Sequence, residues 1–327
     1  MTARANLALL LSVNVDSMEV ASKRSGFEVH VERTPVLTTE HLSGQWREWR
    51  HQRLATLTRP YGWTSLVAQY WLREGESGTT LGTLPGLWSA GEGKIIYTPD
   101  SSGENLSVDG RYPTGPVEIV AGRNMVYSNG DSVPVYFGNR EVDTVIRTND
   151  DGESIYAVRE RDPQQSESTR DEIFTIESFD YDPSWRIPTT FEPRERYDIE
   201  ASTVETGVRE TTSFIGTLSL TIGDKECALE VMGKDSPEGV QPVLQIRDAT
   251  SGQSTYGAGR VVDLEFVEGD ETRIDYVDFN YLAALPCAFT NFVTCPFPPA
   301  SNRLDVEILA GEKRPRVDVD RILTYSS

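Results

Sequence analysis

Tight-turn chemistry cuts this chain into short alternating runs, and that spacing leaves few architectures open. Asn149-Asp150-Asp151-Gly152 separates Val142 to Arg147 from Ile155 to Arg161, and Gly223-Asp224 separates Thr217 to Ile222 from Ala228 to Met232. Gly269-Asp270 likewise separates Val261 to Val267 from Arg273 to Phe279. Glycine reaches positive φ without a side-chain clash, and a period of two buries one face of a strand, so these segments predict successive antiparallel hairpins. Only Thr39 to Leu57 carries helical spacing, with Leu42, Trp46, Trp49, Leu54 and Leu57 on one face. Arg47, Glu48, Arg50 and Arg53 flank that face, Thr39 can cap its start, and Pro60 and Gly62 stop it. Ser65 to Arg73 reads as a second, shorter helix or as a strand. The expected fold class is mainly β: antiparallel hairpin-rich sheets, sandwich or barrel-like, with an N-terminal amphipathic helix.

A chain of 327 residues can bury one large core or two ordinary ones. The polar stretch around Asp162 to Asp171, with Pro163, reads as either a linker or a long surface loop. The expected organisation is therefore a helix plus β unit over 38–162, a linker or loop over 163–172, and a second β unit over 173–327. Residues 1–37 read as a disordered N-terminal extension, of which residues 1–17 either precede a true start at Met18 or, through the apolar run Asn6 to Val15, form a signal peptide. No internal repeat or low-complexity tract is apparent.

Charge sets the chemical surroundings. The formal net charge is −20, and the 31 basic residues divide into five Lys (23, 94, 225, 234 and 313) and 26 Arg. Surplus carboxylates keep a chain dissolved but repel one another in its compact state, and concentrated salt relieves that repulsion. Acid-rich, Lys-poor composition resembles that of halophile proteins. Six Trp, 13 Tyr and 11 Phe along the chain argue that it nevertheless folds. The basic clusters Arg47 to Arg53 and Lys313 to Arg316 are short and offset by nearby acids, which argues against nucleic acid and anionic membranes as partners. No stretch approaches the roughly 20 apolar residues that span a bilayer. The expected location is the cytoplasm.

Familiar catalytic signatures are missing: no phosphate-binding Gly-x-x-x-x-Gly-Lys loop, no Gly-x-Ser-x-Gly elbow and no His-Glu-x-x-His pair. Cys287 and Cys295 lack the close spacing of a zinc site, and His30, His41 and His51 all fall near the N-terminus. No metal or cofactor is expected.

The segment from Ser254 to Lys313 carries the most distinctive pattern. It runs Thr255-Tyr256-Gly257-Ala258-Gly259-Arg260, Asp278-Phe279-Asn280, Cys287-Ala288-Phe289, Thr294-Cys295-Pro296-Phe297-Pro298-Pro299, Asn302-Arg303-Leu304 and Ala310-Gly311-Glu312-Lys313. This pattern resembles the domain of unknown function 1684 family of archaeal and bacterial proteins. Trp49-Arg50, Arg53, Gly62-Trp63-Thr64-Ser65-Leu66, Trp71-Leu72 and Gly75-Glu76 extend the resemblance, as does Asp182-Pro183-Ser184-Trp185-Arg186 more weakly. The sequence departs from the pattern at Tyr281 to Leu285, where Ala283-Ala284-Leu285 replaces an expected polar stretch. The resemblance implies kinship but no activity.

Arg260, Asp278, Asn280 and Glu312 lie among apolar neighbours, where an unpaired charge is costly. One reading pairs Arg260 with Asp278, or Lys313 with Glu312, to pin strands together; the other turns these groups toward a ligand. A planar guanidinium at Arg260 suits a carboxylate or phosphate. Cys287 and Cys295 are small buried hydrophobes, or a disulfide closing a Pro-rich loop, or a nucleophile at Cys287 beside a base. The four Trp residues 46, 49, 63 and 71 either pack the helix on the sheet or wall a cavity. Three functional expectations follow. The first is a small-molecule-binding β protein using Tyr256, Arg260, Asn280, Asn302 and Lys313. The second is a hydrolase using Asp278 or Glu312 as acid/base or Cys287 as nucleophile, and the third is an interaction module without a site.

Overall fold

The computed structural model describes residues 38–101, 103–119, 134–172 and 176–315. The expectations for 1–37 lie outside the described residues. Helix α1 (Thr39–Leu57) starts one residue earlier than its sequence cap implies: Thr38, not Thr39, accepts from the His41 amide at 3.2 Å. A 3₁₀ turn (Trp63–Ser65) then leads into β1 (Leu66–Arg73), which settles the strand reading of that segment.

Strands β2 (Thr79–Leu81), β3 (Leu84–Gly91), β4 (Lys94–Thr98), β5 (Ser107–Val108), β6 (Val117–Ile119) and β7 (Val135–Phe137) follow. Next come β8 (Arg140–Asn149) and β9 (Ser154–Arg161), joined as the Asn149 to Gly152 turn predicts, with Gly152 at φ 81°. Pro163–Glu172, expected as a linker or loop, is helix α2. Its polar composition hid the helix because it shows no apolar stripe, while Asp162 serves its start by accepting from the Gln164 amide at 2.8 Å.

The later strands are β10 (Arg186–Pro188), β11 (Thr190–Ser202), β12 (Val208–Ile222), β13 (Lys225–Ser236), β14 (Gly239–Ile246), β15 (Arg260–Asp263), β16 (Tyr276–Asp278) and β17 (Ala283–Ala284). The hairpin predicted around Gly223-Asp224 forms between β12 and β13. The one predicted around Gly269-Asp270 does not: β15 pairs with β14 and β17, while β16 pairs with β10. A tight turn there keeps the Val267 and Asp270 bridge and a bond from the Val267 amide to the Arg273 carbonyl at 2.9 Å, but no ladder, because both flanking strands find partners elsewhere.

All strand pairing between named strands is antiparallel. Among the described residues the main sheet holds 11 strands: the path β1-β9-β8-β12-β13-β14-β15-β17, with β11 on β12 and β5-β7 on β8. The path is open, ending at β1 and β17, and does not close into a barrel. Sheet continuity runs through the pairs Val208–Asn149 and Arg209–Thr148, so strands from before and after α2 share one sheet. A four-stranded sheet, β2-β3-β4-β6, covers one end of it. Trp88, Tyr97, Leu72, Tyr156 and Val158 fill the core between them. A second core under β12 to β15 gathers Leu218, Leu229, Leu244, Val262 and Phe279. Between these regions α1 and the irregular C-terminal loops meet through Leu57, Ala284, Ala288 and Phe289.

Candidate functional site

Most of the charged candidates turn inward. Arg260 has no exposed side chain, and its guanidinium donates to the carbonyls of Ala310 and Ile308 and to Asp248 Oδ1 at 3.2 Å. Asp248 Oδ2 in turn accepts from the Ile308 amide at 2.8 Å. Arg260 thus clasps the strand-like segment 308–312 against the sheet, and its ionic partner is Asp248 rather than Asp278. Gly259 is required beside it: φ is 105°, and a Cβ there would collide with the Ile246 carbonyl.

Glu312 pairs with Arg53 of α1 at 3.0 Å and accepts from the Ala284 amide at 2.6 Å, leaving Lys313 to lie over the Phe179 ring at 4.9 Å. Asp278 Oδ1 accepts from the Asn280 amide and from its Nδ2 at 3.0 and 2.8 Å. Its other oxygen has no hydrogen-bond partner among the described residues, and Arg186 stands 3.8 Å off. Burial therefore raises the Asp278 carboxyl above its ordinary range, against the opposing pull of Asn280 and Arg186. Asn280 also exchanges hydrogen bonds with the Asp182 backbone at 3.0 and 2.8 Å. Asn302 acts as a splice: it accepts from the Glu230 amide and donates to the Glu230 and Gln245 carbonyls, all within 2.9 Å, bridging β13 and β14.

Tyr256 and Cys287 behave differently. Both line an open cavity of about 420 Å³ together with Gln69 and Trp71 of β1, Val204 and Glu205 of the β11–β12 turn, and Thr290 to Val293. The Tyr256 hydroxyl donates to the Cys287 carbonyl at 2.7 Å, and burial raises its pKa, with the nearby cysteines adding to the shift. Glu205 accepts from Trp71 Nε1 at 2.7 Å and from Gln69 Nε2 at 3.1 Å. That second bond fixes the amide orientation, since the carboxylate needs a donor. Gln69 Oε1 is then left buried without a partner among the described residues.

Behind this wall lie the two cysteines of the Pro-rich loop, both buried at 8% exposure and both free. The Cys287 thiol is held below the ordinary thiol range, first by a hydrogen bond from Cys295 and then by Tyr256, against the effect of burial. Cys295 is pushed well upward by its interaction with the Cys287 thiol and by burial. The loop is pinned at many points. Arg147 Nε reaches Thr294 Oγ1 at 2.7 Å, Val204 N reaches the Cys295 carbonyl at 3.0 Å, and Gln245 reaches the Pro296 carbonyl at 2.7 Å.

Residues 172–313 match a family model described as "Protein of unknown function (DUF1684)". A similar solved structure is the solution NMR structure of the uncharacterized protein from gene locus rrnAC0354 of Haloarcula marismortui. It is 27% identical, covers 45% of this chain and 80% of that one, and has a TM-score of 0.37. No curated protein is similar to the chain.

The cavity crosses the edge of the DUF1684 segment, because Gln69 and Trp71 precede it while Tyr256, Cys287 and Phe292 lie within it. Sequence reasoning singled out Tyr256, Cys287 and the Trp71 aromatic but missed Gln69 and Glu205. Gln69 lies on an ordinary alternating strand and Glu205 in a short turn, so neither stood out before the fold joined them. Among the described residues no three His, Cys, Asp or Glu side chains converge as a metal site, and no helix is long and apolar enough to cross a membrane.

Proposed function

We propose that the protein binds a small molecule in the cavity walled by Trp71, Tyr256 and Phe292. The carrying observation is Gln69 Oε1, an acceptor locked in the cavity region by Glu205 and lacking a partner among the described residues. A buried acceptor left unsatisfied costs about 1–3 kcal/mol, which a ligand hydroxyl or ammonium would recover. Aromatic surfaces beside a few fixed polar groups are the usual makeup of such pockets. The Glu205 carboxylate, within a chain of net charge −20, favours a neutral or cationic ligand over an anion. This departs from an Arg260-centred carboxylate or phosphate site, since that guanidinium is consumed by backbone carbonyls and Asp248. The acidic, Lys-poor composition supports a protein that works in the salt-rich cytoplasm of a halophile.

Matched probes test the pocket. Tryptamine should raise the melting temperature in molar KCl while indole-3-acetate should not, and Gln69→Leu and Glu205→Gln should each remove most of the tryptamine effect. Equal shifts with both probes, or shifts unchanged in both variants, would refute this reading.

A further inference from the structure

Strand β11 lies at the margin of the main sheet and shows both of its faces to solvent. Every residue from Glu192 to Glu200 is exposed, where a strand resting on a core would alternate. One edge of its backbone meets β12. Among the described residues no main-chain group from Glu192 to Glu200 bonds to any other part of the backbone. An edge left open in this way is a template for one further strand. Tyr197 and Ile199, at 39% and 36%, are among the few large apolar side chains that the described residues leave exposed. The Tyr197 ring is held in place by stacking on Phe214 at 5.7 Å. On either side of it stand opposite charges. Arg196 Nη2 donates to Ser213 Oγ at 3.1 Å, and that hydroxyl donates to Asp198 Oδ1 at 2.5 Å, so Arg196 and Asp198 share one face.

We propose that β11 is a homodimerisation strand, whose open edge pairs antiparallel with the same edge of a second copy of this chain about a twofold axis at Tyr197. Charge selects both the partner and the register. Residues directly opposite in an antiparallel pair share a face, and neighbours along a strand do not, so the twofold axis must pass through a residue. An axis at Arg194 or Arg196 sets that arginine against its own copy, and an axis at Glu195, Asp198 or Glu200 does the same with a carboxylate. An axis at Ile199 brings Asp198 opposite the partner's Glu200. Between residues 194 and 200 only the axis at Tyr197 opposes no like charges. There each Arg196 meets the partner's Asp198, Ile199 meets the partner's Glu195, and the two Tyr197 rings meet at the centre. The main sheets of the two copies become continuous across the axis. The pairing is short, because Pro193 and the irregular register between Pro193 and Tyr197 end it, so the charges rather than a long ladder set its strength.

The full chain is tested in molar KCl, which screens the mutual repulsion of two −20 chains beyond roughly 3 Å but leaves charges in contact effective. Sedimentation velocity over a concentration series should show a monomer–dimer equilibrium. Arg196→Asp and Asp198→Arg each oppose like charges at both symmetry-related positions, and each alone should weaken the dimer at least about ten-fold. Mixing the two variants in equal amounts should restore a dimer, because each chain then supplies the charge that the other lacks. The chain carrying both reversals should dimerise as the original does. Asp235, the present ionic partner of Arg196, is itself exposed, so its loss costs the fold little, and circular dichroism checks that each variant is folded. If a reversal does not fold, Arg196→Gln or Asp198→Asn takes its place, with a weaker dimer as the expected result. A chain that stays monomeric at its highest soluble concentration, a dimer indifferent to both reversals, or no dimer on mixing would overturn the proposal. Slow hydrogen exchange along β11 in a monomer would overturn it too, and would assign the edge to another segment of the same chain.

Discussion

Arg260 shows how one buried side chain can look like a ligand anchor in sequence and act as a clasp in the fold. Removing it leaves Asp248 enclosed without its cation and frees three backbone carbonyls. Arg260→Ala should therefore lower the unfolding free energy by about 3–5 kcal/mol, measured as a drop in the urea midpoint at constant slope. Asn302 has a similar position without charge, so Asn302→Ala should cost about 2–3 kcal/mol through the unpaired Glu230 and Gln245 groups. Glu141, by contrast, should show itself through pH. Burial, opposed by Arg161 and reinforced by Asp143, raises its carboxyl to about 7. A raised carboxyl favours the folded state while protonated, so its contribution is full below the unfolded value near 4.5 and is lost as pH rises through about 7. Glu141→Gln should flatten that decline by on the order of 2 kcal/mol, the full linkage value being trimmed by partial solvent access. The neighbouring Asp143 titrates the other way: burial would raise it, but Arg159 and Arg161 at 2.6 and 2.7 Å hold it low.

Helix α1 is an element whose existence is written locally but whose docking is not. Only Trp46 and Leu57 of its apolar stripe are fully buried. Leu54 packs beside Leu57 and Trp49 meets the Tyr281 ring edge-on, while polar bonds add to the attachment: Trp46 Nε1 donates to the Asn280 carbonyl at 2.9 Å, Arg50 to the Ile176 carbonyl at 2.6 Å, and Arg53 to the Ala284 carbonyl at 2.7 Å and to Glu312. Arg50 and Arg53 look like solvent-facing flanks in the helical pattern, yet they reach the C-terminal motif. Arg53→Ala should destabilise by about 3–5 kcal/mol because Glu312 stays buried, and adding Glu312→Gln should recover part of that loss in a double-mutant cycle followed by urea unfolding. Strand β11 has a different task. Among the described residues it pairs with β12 alone, and Glu192, Arg194, Glu195, Arg196, Asp198 and Glu200 line it with charge. Pro193 and these charges discourage a strand of any other charge pattern from adding to that edge.

At the scale of the whole molecule, net charge dominates. A formal −20 concentrates mutual repulsion in the folded state, and screening shortens from about 8 Å at physiological ionic strength to roughly 3 Å at 1 M. The melting temperature should rise by several degrees or more between dilute and molar KCl. A flat profile, measured by circular dichroism, would show that the carboxylates are already balanced in the fold.

The sequence by itself determined the antiparallel β class, the helix Thr39–Leu57, the hairpins around Gly152 and Gly223, and the similarity of residues 172–313 to a family model. Each depends on residues close in the chain: side-chain period, turn glycines, and ordered short motifs. Helix α2 escaped because its start rests on Asp162 and its face lacks an apolar stripe. The Gly269-Asp270 turn misled because strand partners are chosen by long-range competition, in which β10 captured β16. Only the tertiary structure decided which polar residues would be consumed internally and which would face a cavity. Local pattern cannot tell Arg260 from Tyr256, because burial and pairing depend on Asp248, Ile308, Gln69 and Glu205, each brought from another part of the chain.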